Sequence, residues 1–243
     1  MRARVFFGLL LLLVLATVLT VQRGWLFSFW GVPAYLDPFS ALQLDDPPHL
    51  WTALKLQRLN ADLDLCFDFM STTAWRFQRI APHQAARDCV LPESLRLSGL
   101  DRGVDHAAIK LSSPTLLSCP MAASLALYER HAMRPILASM TSTHVVAIDH
   151  LGSFACRNIG SSNSGRRSEH ASANALDIAA FQLADGRQLR IARDWNPDSA
   201  SAPVLRALRD GACPWFQSVL GPDYNAAHQD HFHLDRGRSR ICR

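Results

Sequence analysis

The sequence predicts an α+β fold: a small antiparallel sheet with helices packed on one face, preceded by an N-terminal transmembrane helix. Three observations carry that expectation. Residues 5–21, VFFGLLLLLVLATVLTV, hold no charged side chain. Stretches 112–137 and 202–221 place apolar residues at three- to four-residue steps, the period of a helix. Stretches 173–195 and 231–235 alternate apolar with polar residues, the period of a strand with one buried face.

Taken in order, the uncharged run rises roughly 25 Å as a helix, at the short end of what spans a bilayer. Arg2 and Arg4 precede it, and Trp25 and Trp30 follow at the depth where an indole is half apolar and half wet. Bulky residues in TVQRGWLFSFWG stand where a cleaved signal peptide needs small ones. The flanks therefore favour a single-pass inner-membrane anchor with the C-terminal part in the periplasm, although Arg23 weakens the charge contrast. Secretion to the periplasm after signal cleavage is the alternative, and both readings export the rest of the chain. Residues 1–21 are read as cytoplasmic end and anchor. Residues 22–48, with Pro33, Pro38, Pro47 and Pro48, are read as a tether, and residues 49–243 as one domain.

Within that domain, Leu50, Leu54 and Leu59 fall broadly on one side of a helix over 50–70. RDCVLPESLRLSGL suggests a short strand-like or turn region. Leu116, Leu117, Met121, Leu125 and Leu127 make 112–137 the clearest helix, with Pro135 limiting its C-terminus. The VVAI of 145–148 reads as a buried strand, and Gly152 as a turn into a second strand. GSSNSGRR, 160–167, is a polar loop. Asp185-Gly186 joins the two strands of 173–195 as a hairpin. The helix of 202–221 ends or breaks around Gly211 to Pro214, and HFHLD supplies a last strand.

The formal net charge of +4 is mild, and no stripe of basic and aromatic residues argues for nucleic acid. The arginine-rich tail DRGRSRICR suits an anionic wall polymer or lipid surface, or simple solvation. Cys66, Cys89, Cys119, Cys156, Cys213 and Cys242 include no CxxC pair, which speaks against zinc ribbons and thioredoxin-like sites. In an oxidising compartment they predict three disulfides rather than buried thiols. Of the possible connectivities, neighbour pairing is the expectation: Cys66–Cys89, Cys119–Cys156 and Cys213–Cys242.

Two segments crowd groups that bind metals and carry protons. SEHASANALDI (168–178) sets His170 and Asp177 seven residues apart with small residues between them, and HQDHFHLD (228–235) puts His231 and His233 on one strand face. A catalytic zinc site takes three protein ligands of nitrogen or oxygen and leaves a position open. His170, Asp177 and one histidine of HFH make such a set, and the remaining imidazole or carboxylate is placed to take a proton.

These residues resemble the zinc metallopeptidases of the lysostaphin, D-alanyl-D-alanine carboxypeptidase and hedgehog group. More closely, they resemble the bacterial extensin-like C-terminal domain family, through SFACRN, SEHASANALDIAAF, VLGPDYNAAHQDHFHLD and LLSCPMAASLALYE. The resemblance covers roughly residue 60 to 243. It implies one Zn2+ held by His170, Asp177 and His233. It also implies Asp230 as general base, His231 as its assistant, Arg157 as a cation for the carbonyl oxygen or oxyanion, and Ser168 at the substrate. Asp stands at 230 where the peptidase group has Glu, and Asp235 is a competing partner that orients a histidine. The implied activity is hydrolysis of amide bonds in peptidoglycan cross-links or stem peptides, of D,D-carboxypeptidase or endopeptidase type. A non-catalytic wall-binding or scaffold domain with a structural metal is the alternative.

The other polar residues read as structural. His49, His83, His106, His131, His144 and His150 lack ligand spacing, and His228 sits at a strand entrance. Arg166 and Arg167 fit a solvated loop, and Trp195 and Trp215 fit core packing. No separate Ser/His/Asp arrangement is discernible among the serines of SASANA.

Overall fold

The computed structural model describes residues 6–18, 31, 33–86, 89–101, 107–162 and 164–243. Arg2, Arg4, Arg23, Trp25, Trp30, His106 and residues 19–21 of the expected anchor lie outside the described residues. Residues 6–18 form helix α1, whose apolar side chains are exposed, Phe7 and Leu11 among them. Among the described residues, no helix is long and apolar enough to cross a membrane. Residues 33–48 pack against the domain. Leu42 joins the core, and the buried Lys55 ammonium donates to the carbonyls of Ala34 and Tyr35 and to Ser40 Oγ, 2.7 Å away.

The domain is α+β, but its sheet is neither small nor wholly antiparallel. The described residues form eleven strands: β1 (Trp75–Ile80), β2 (His83–Ala86), β3 (Cys89–Leu91), β4 (Ser94–Leu100), β5 (Ile109–Ser118), β6 (Val145–Gly152), β7 (Ala175–Leu183), β8 (Gln188–Arg190), β9 (Ser218–Leu220), β10 (Phe232–Asp235) and β11 (Ile241–Cys242). Nine of them form one sheet in the order β1-β4-β5-β6-β7-β10-β9-β11, with β8 beside β7, while β2 and β3 pair separately. Two pairings are parallel, β5 with β6 and β9 with β11.

Helices α2 (Thr52–Ala61) and α3 (Leu63–Ser71) fill the stretch expected to be helical, but on a different face. Lys55, Leu56 and Leu59 are buried, whereas Leu50 and Leu54 are exposed, because Lys55 is tied down by the 34–40 segment. The region expected to be one helix over 112–137 begins as strand. Thr115, Leu117 and Cys119 are buried alternately, and β5 runs to Ser118. Ser118 then caps α4 (Cys119–Tyr128) through its hydroxyl, with Pro120 in the first turn where a missing N–H costs nothing. All of α4 is buried, so it is the central helix of the core.

Pro135 does not end the helix. A π turn over Glu129–Met133 leads directly into α5 (Arg134–Thr141), with Pro135 in its first turn. The widened turn accommodates a residue that cannot donate. The buried Glu129 accepts from Arg134 at 2.7 and 2.9 Å across it. After β6, residues 153–158 carry an isolated bridge, Asn158 to Arg167, rather than the expected second strand. The β7–β8 hairpin at Asp185-Gly186, helix α7 (Ala202–Ala212) and β10 follow the sequence reading, but the second strand expected up to residue 195 ends at Arg190 and passes into helix α6 (Ile191–Asp194).

All six cysteines are paired, as Cys66–Cys119, Cys89–Cys156 and Cys213–Cys242. Neighbour pairing holds for the third alone. The first two follow the fold: α3 packs on α4, and the loop after β6 lies against β3. Trp195 and Trp215 are buried in the core. His131 stacks on Trp215, and its Nε2 lies 2.7 Å from the Leu44 carbonyl, a structural role.

Candidate active site

Strand β7 decides which side of the sheet carries chemistry. Leu176 and Ile178 point into the core, so alternation sends Asp177 to the opposite face. Phe181 and Leu183 also enter the core, which strict alternation from Ile178 would forbid. The register supplies the reason: adjacent Asp149 and His150 of β6 pair with Ala180 and Ile178, leaving Ala179 as a bulge. Strand β10 alternates likewise, with Phe232 and Leu234 in the core and His233 and Asp235 on the far face. His233 is the register partner of Asp177.

His170 reaches the same point from a 3-10 turn, Glu169–Ser172, capped by the Ser168 hydroxyl. The turn exits through Ala173, a buried non-glycine residue in the left-handed region (φ 54°), a conformation costing about 1–2 kcal/mol. Asn174 fixes the exit by donating to Glu169 Oε2 and accepting from Ser118 Oγ, both at 2.9 Å. Gly237 lets the tail pass close to Glu169, since a Cβ there would meet Oε1 at 2.6 Å and displace that side chain.

Three donor atoms converge. His170 Nε2 lies 3.2 Å from Asp177 Oδ2 and 3.2 Å from His233 Nδ1, and His233 Nδ1 lies 2.9 Å from Asp177 Oδ1. The second nitrogen of each imidazole is engaged elsewhere. His170 Nδ1 donates to the Ser153 carbonyl at 2.6 Å, and His233 Nε2 donates to Asp235 Oδ2 at 3.0 Å. Asp235 is itself held by the Gly237 amide at 2.8 Å, so both of its oxygens are occupied. Bonds of 2.0–2.1 Å in a tetrahedron put neighbouring ligand atoms about 3.3 Å apart. The spacing and chemistry of this set therefore fit a zinc ion without rearrangement.

The charges agree. Burial works against the Asp177 carboxylate, but hydrogen bonds from His170 and His233 outweigh it and hold the group far below the ordinary carboxylate range. Burial likewise opposes a charged His233, yet hydrogen bonds to Asp177 and Asp235 raise it to about 9. Without metal, His233 carries a proton on Nδ1, directed at Asp177 Oδ1.

His231 and Asp230 precede β10, in a turn that brings both side chains together despite strand alternation. His231 Nδ1 donates to Asp230 Oδ1 at 2.8 Å, and its Nε2 faces Asp177 Oδ1 at 3.7 Å. Asp230 is thus behind His231, not beside the ligand set, and its side chain is half exposed. His228 was not singled out by spacing, yet its ring packs 5.3 Å from that of His231 and 5.7 Å from that of His233. Burial and those two neighbouring imidazoles lower its pKa to about 4.

A cleft of about 380 Å³ opens over these groups, with Ile159 and Tyr224 on its walls. Arg157 lines it too, held by the backbone of Ala155 and Ser168 and beside Cys156 of the disulfide to Cys89. Its guanidinium makes no hydrogen bond or ion pair with another described residue. Ser168 lines the cleft while its hydroxyl serves the turn, and Arg166 lies 3.9 Å from Glu169. A second cluster of potential ligands, Asp210 with Cys213 and Cys242, is consumed by the disulfide.

A family model described as Extensin-like protein C-terminus matches residues 64–243. No curated protein and no solved structure matches the chain.

Proposed function

The chain belongs to the extensin-like protein C-terminus family, and from that premise we propose that it is an exported zinc-dependent peptidase. Its substrate is an amide bond in peptidoglycan cross-links or stem peptides. The observation carrying this reading is the set His170, Asp177 and His233, three donors at the floor of an open cleft. A purely structural zinc takes four protein ligands, and among the described residues these three alone come together there. The three disulfides are compatible with export. The exposed apolar helix α1, with its flanks, is proposed to hold the domain at the membrane.

Zinc bound there supplies Lewis acidity, lowering the pKa of a water and polarising a carbonyl. The protein's own groups do the rest. His231 accepts a proton at Nε2, because its Nδ1–H is committed to Asp230. Asp230 stabilises the resulting imidazolium, so the two act as one base rather than Asp230 acting alone. Arg157 offers an unpaired guanidinium to the oxygen on which charge develops. Asp235 and the Ser153 carbonyl fix which nitrogen of His233 and His170 faces the cation.

Digestion of isolated peptidoglycan tests this reading, with released fragments identified by mass. The wild type with zinc is expected to release peptide fragments, and chelator to abolish the release. His231→Ala and Asp230→Asn are expected to lower the rate at least about 100-fold. The double variant should be no worse than His231→Ala, as expected for residues acting as a unit. Equal fragment profiles for wild type, variants and chelated protein would leave a wall-binding module in place of the enzyme.

A further inference from the structure

Arg236 presents an unresolved charge on the far side of β10 from the cleft. It is 8% exposed, yet no carboxylate lies within ion-pair range of it among the described residues. Its guanidinium donates instead to neutral oxygens. Nε and NH2 reach Asn60 Oδ1 at 3.4 and 3.3 Å, and NH1 reaches Ser124 Oγ at 3.0 Å and the Trp215 carbonyl at 3.3 Å. A guanidinium carries five N–H donors, so these four contacts leave one NH2 hydrogen unused. Burial, with no charged neighbour to offset it, lowers Arg236 to about 10. A buried cation without a counter-ion is a costly arrangement.

Arg236 lines a small pocket of about 50 Å³ between α2 and the chain's C-terminal segment. Arg240 lines the same pocket and has no ion-pair or hydrogen-bond partner among the described residues. Gln57 and Gln217 add amides, Trp215 forms one wall, and no acidic residue contributes. The backbone that follows Arg240 is fixed. β11 is paired with β9, the amides of Ile241 and Arg243 bond to Gln217 and Val219, and Cys242 is tied to Cys213. Two arginines lining a pocket of this size, with no carboxylate among its lining residues, match a single oxyanion.

We propose that this pocket binds one phosphate group through Arg236 and Arg240. The group comes either from a phospholipid headgroup or from free or polymer-borne phosphate. The site is separate from the metal-ligand set and its existence does not depend on peptidase activity.

Full-length protein in non-ionic detergent is titrated calorimetrically with inorganic phosphate, with chloride at equal ionic strength as the blank. Saturable binding is expected in wild type and in Arg238→Gln, an exposed neighbour outside the pocket. Arg240→Gln should weaken it at least about tenfold, the loss typical of one charge-assisted hydrogen bond. Because Arg236→Gln perturbs the core, Arg240→Gln is the deciding variant. Its fold is checked by an unchanged unfolding curve in chloride. A second titration uses dihexanoyl phosphatidylglycerol below its micellar concentration. Tighter binding than phosphate, again lost in Arg240→Gln, assigns the lipid source, and binding no tighter assigns the free or polymer-borne group. No phosphate binding above the chloride blank, or equal binding by wild type and Arg240→Gln, overturns the proposal.

Discussion

Zinc affinity is expected to climb with pH up to about 9. In the metal-free protein His233 carries its Nδ1 proton at neutral pH, because Asp177 and Asp235 raise it to about 9. The metal requires that same nitrogen, so binding must expel the proton. Each pH unit below the pKa then costs about 1.36 kcal/mol. From pH 9 to pH 7 the penalty is roughly 2.7 kcal/mol, an affinity loss of about 100-fold. Asp177 adds no slope in this range, since its carboxylate is ionised throughout. Competition against a chromophoric chelator of known stability at each pH measures the affinity. Calorimetry in two buffers of different ionisation enthalpy counts the proton released. A slope near one log unit per pH unit and about one proton released at pH 7 are expected. An affinity that is flat between pH 7 and 9, with no proton released, would refute the assignment of His233 Nδ1 as a ligand.

The same group governs stability without metal. A raised histidine pKa stabilises fully below its ordinary value near 6.5 and loses that contribution as pH rises through about 9. Chelator-treated protein is therefore expected to lose up to about 3 kcal/mol between pH 6.5 and 9 in urea unfolding, whereas zinc-loaded protein keeps it. His228, lowered to about 4, is neutral in the folded state over this window but about half protonated when unfolded at pH 6.5, so it offsets the trend by only about 0.4 kcal/mol at the low end. Asp235→Asn should weaken zinc binding about 10- to 100-fold in the chelator assay with little loss of secondary structure, because it alters the orienting partner and not a ligand. Replacing both Cys66 and Cys119 with Ala opens a loop with sequence separation 53 and should cost about 4 kcal/mol in the same unfolding experiment.

Much of the candidate site could be read from residue spacing, because both of its strands obey short-range rules. Asp185-Gly186 marks the hairpin that defines β7, and alternation along β10 sends His233 and Asp235 to one side. The proton-carrying pair was harder to read. Alternation separates residues 230 and 231 only inside a strand, and β10 begins one residue later, at Phe232. His228 meets His231 and His233 through the turn before β10, a contact that no periodicity reports.

Elsewhere the local pattern was overruled by tertiary contacts. Leu50 and Leu54 mimic a buried face, but the segment around Ala34 and Ser40 draws Lys55 inward instead. Leu116 and Leu117 extended the helical period backward into β5, although Ser118 followed by Pro120 already carried the start signal. Pro135 is tolerated because the π turn precedes it, with Arg134 paired to the buried Glu129 across that turn. Disulfide connectivity lay outside local reading altogether, since it records which elements touch.

The place of β10 in the sheet imposes an order in time. Strand β10 lies near the end of the chain, yet it is inserted between β7 and β9. A chain made from its N-terminus has His170 and Asp177 in hand long before His233 exists. The segments before β10 can collapse around α4, but the sheet stays split and the third donor absent until β10 arrives. The set of three donors would thus stay incomplete until β10 has been made and inserted. A truncation that removes only the final dozen or so residues would delete an interior strand rather than a loose end.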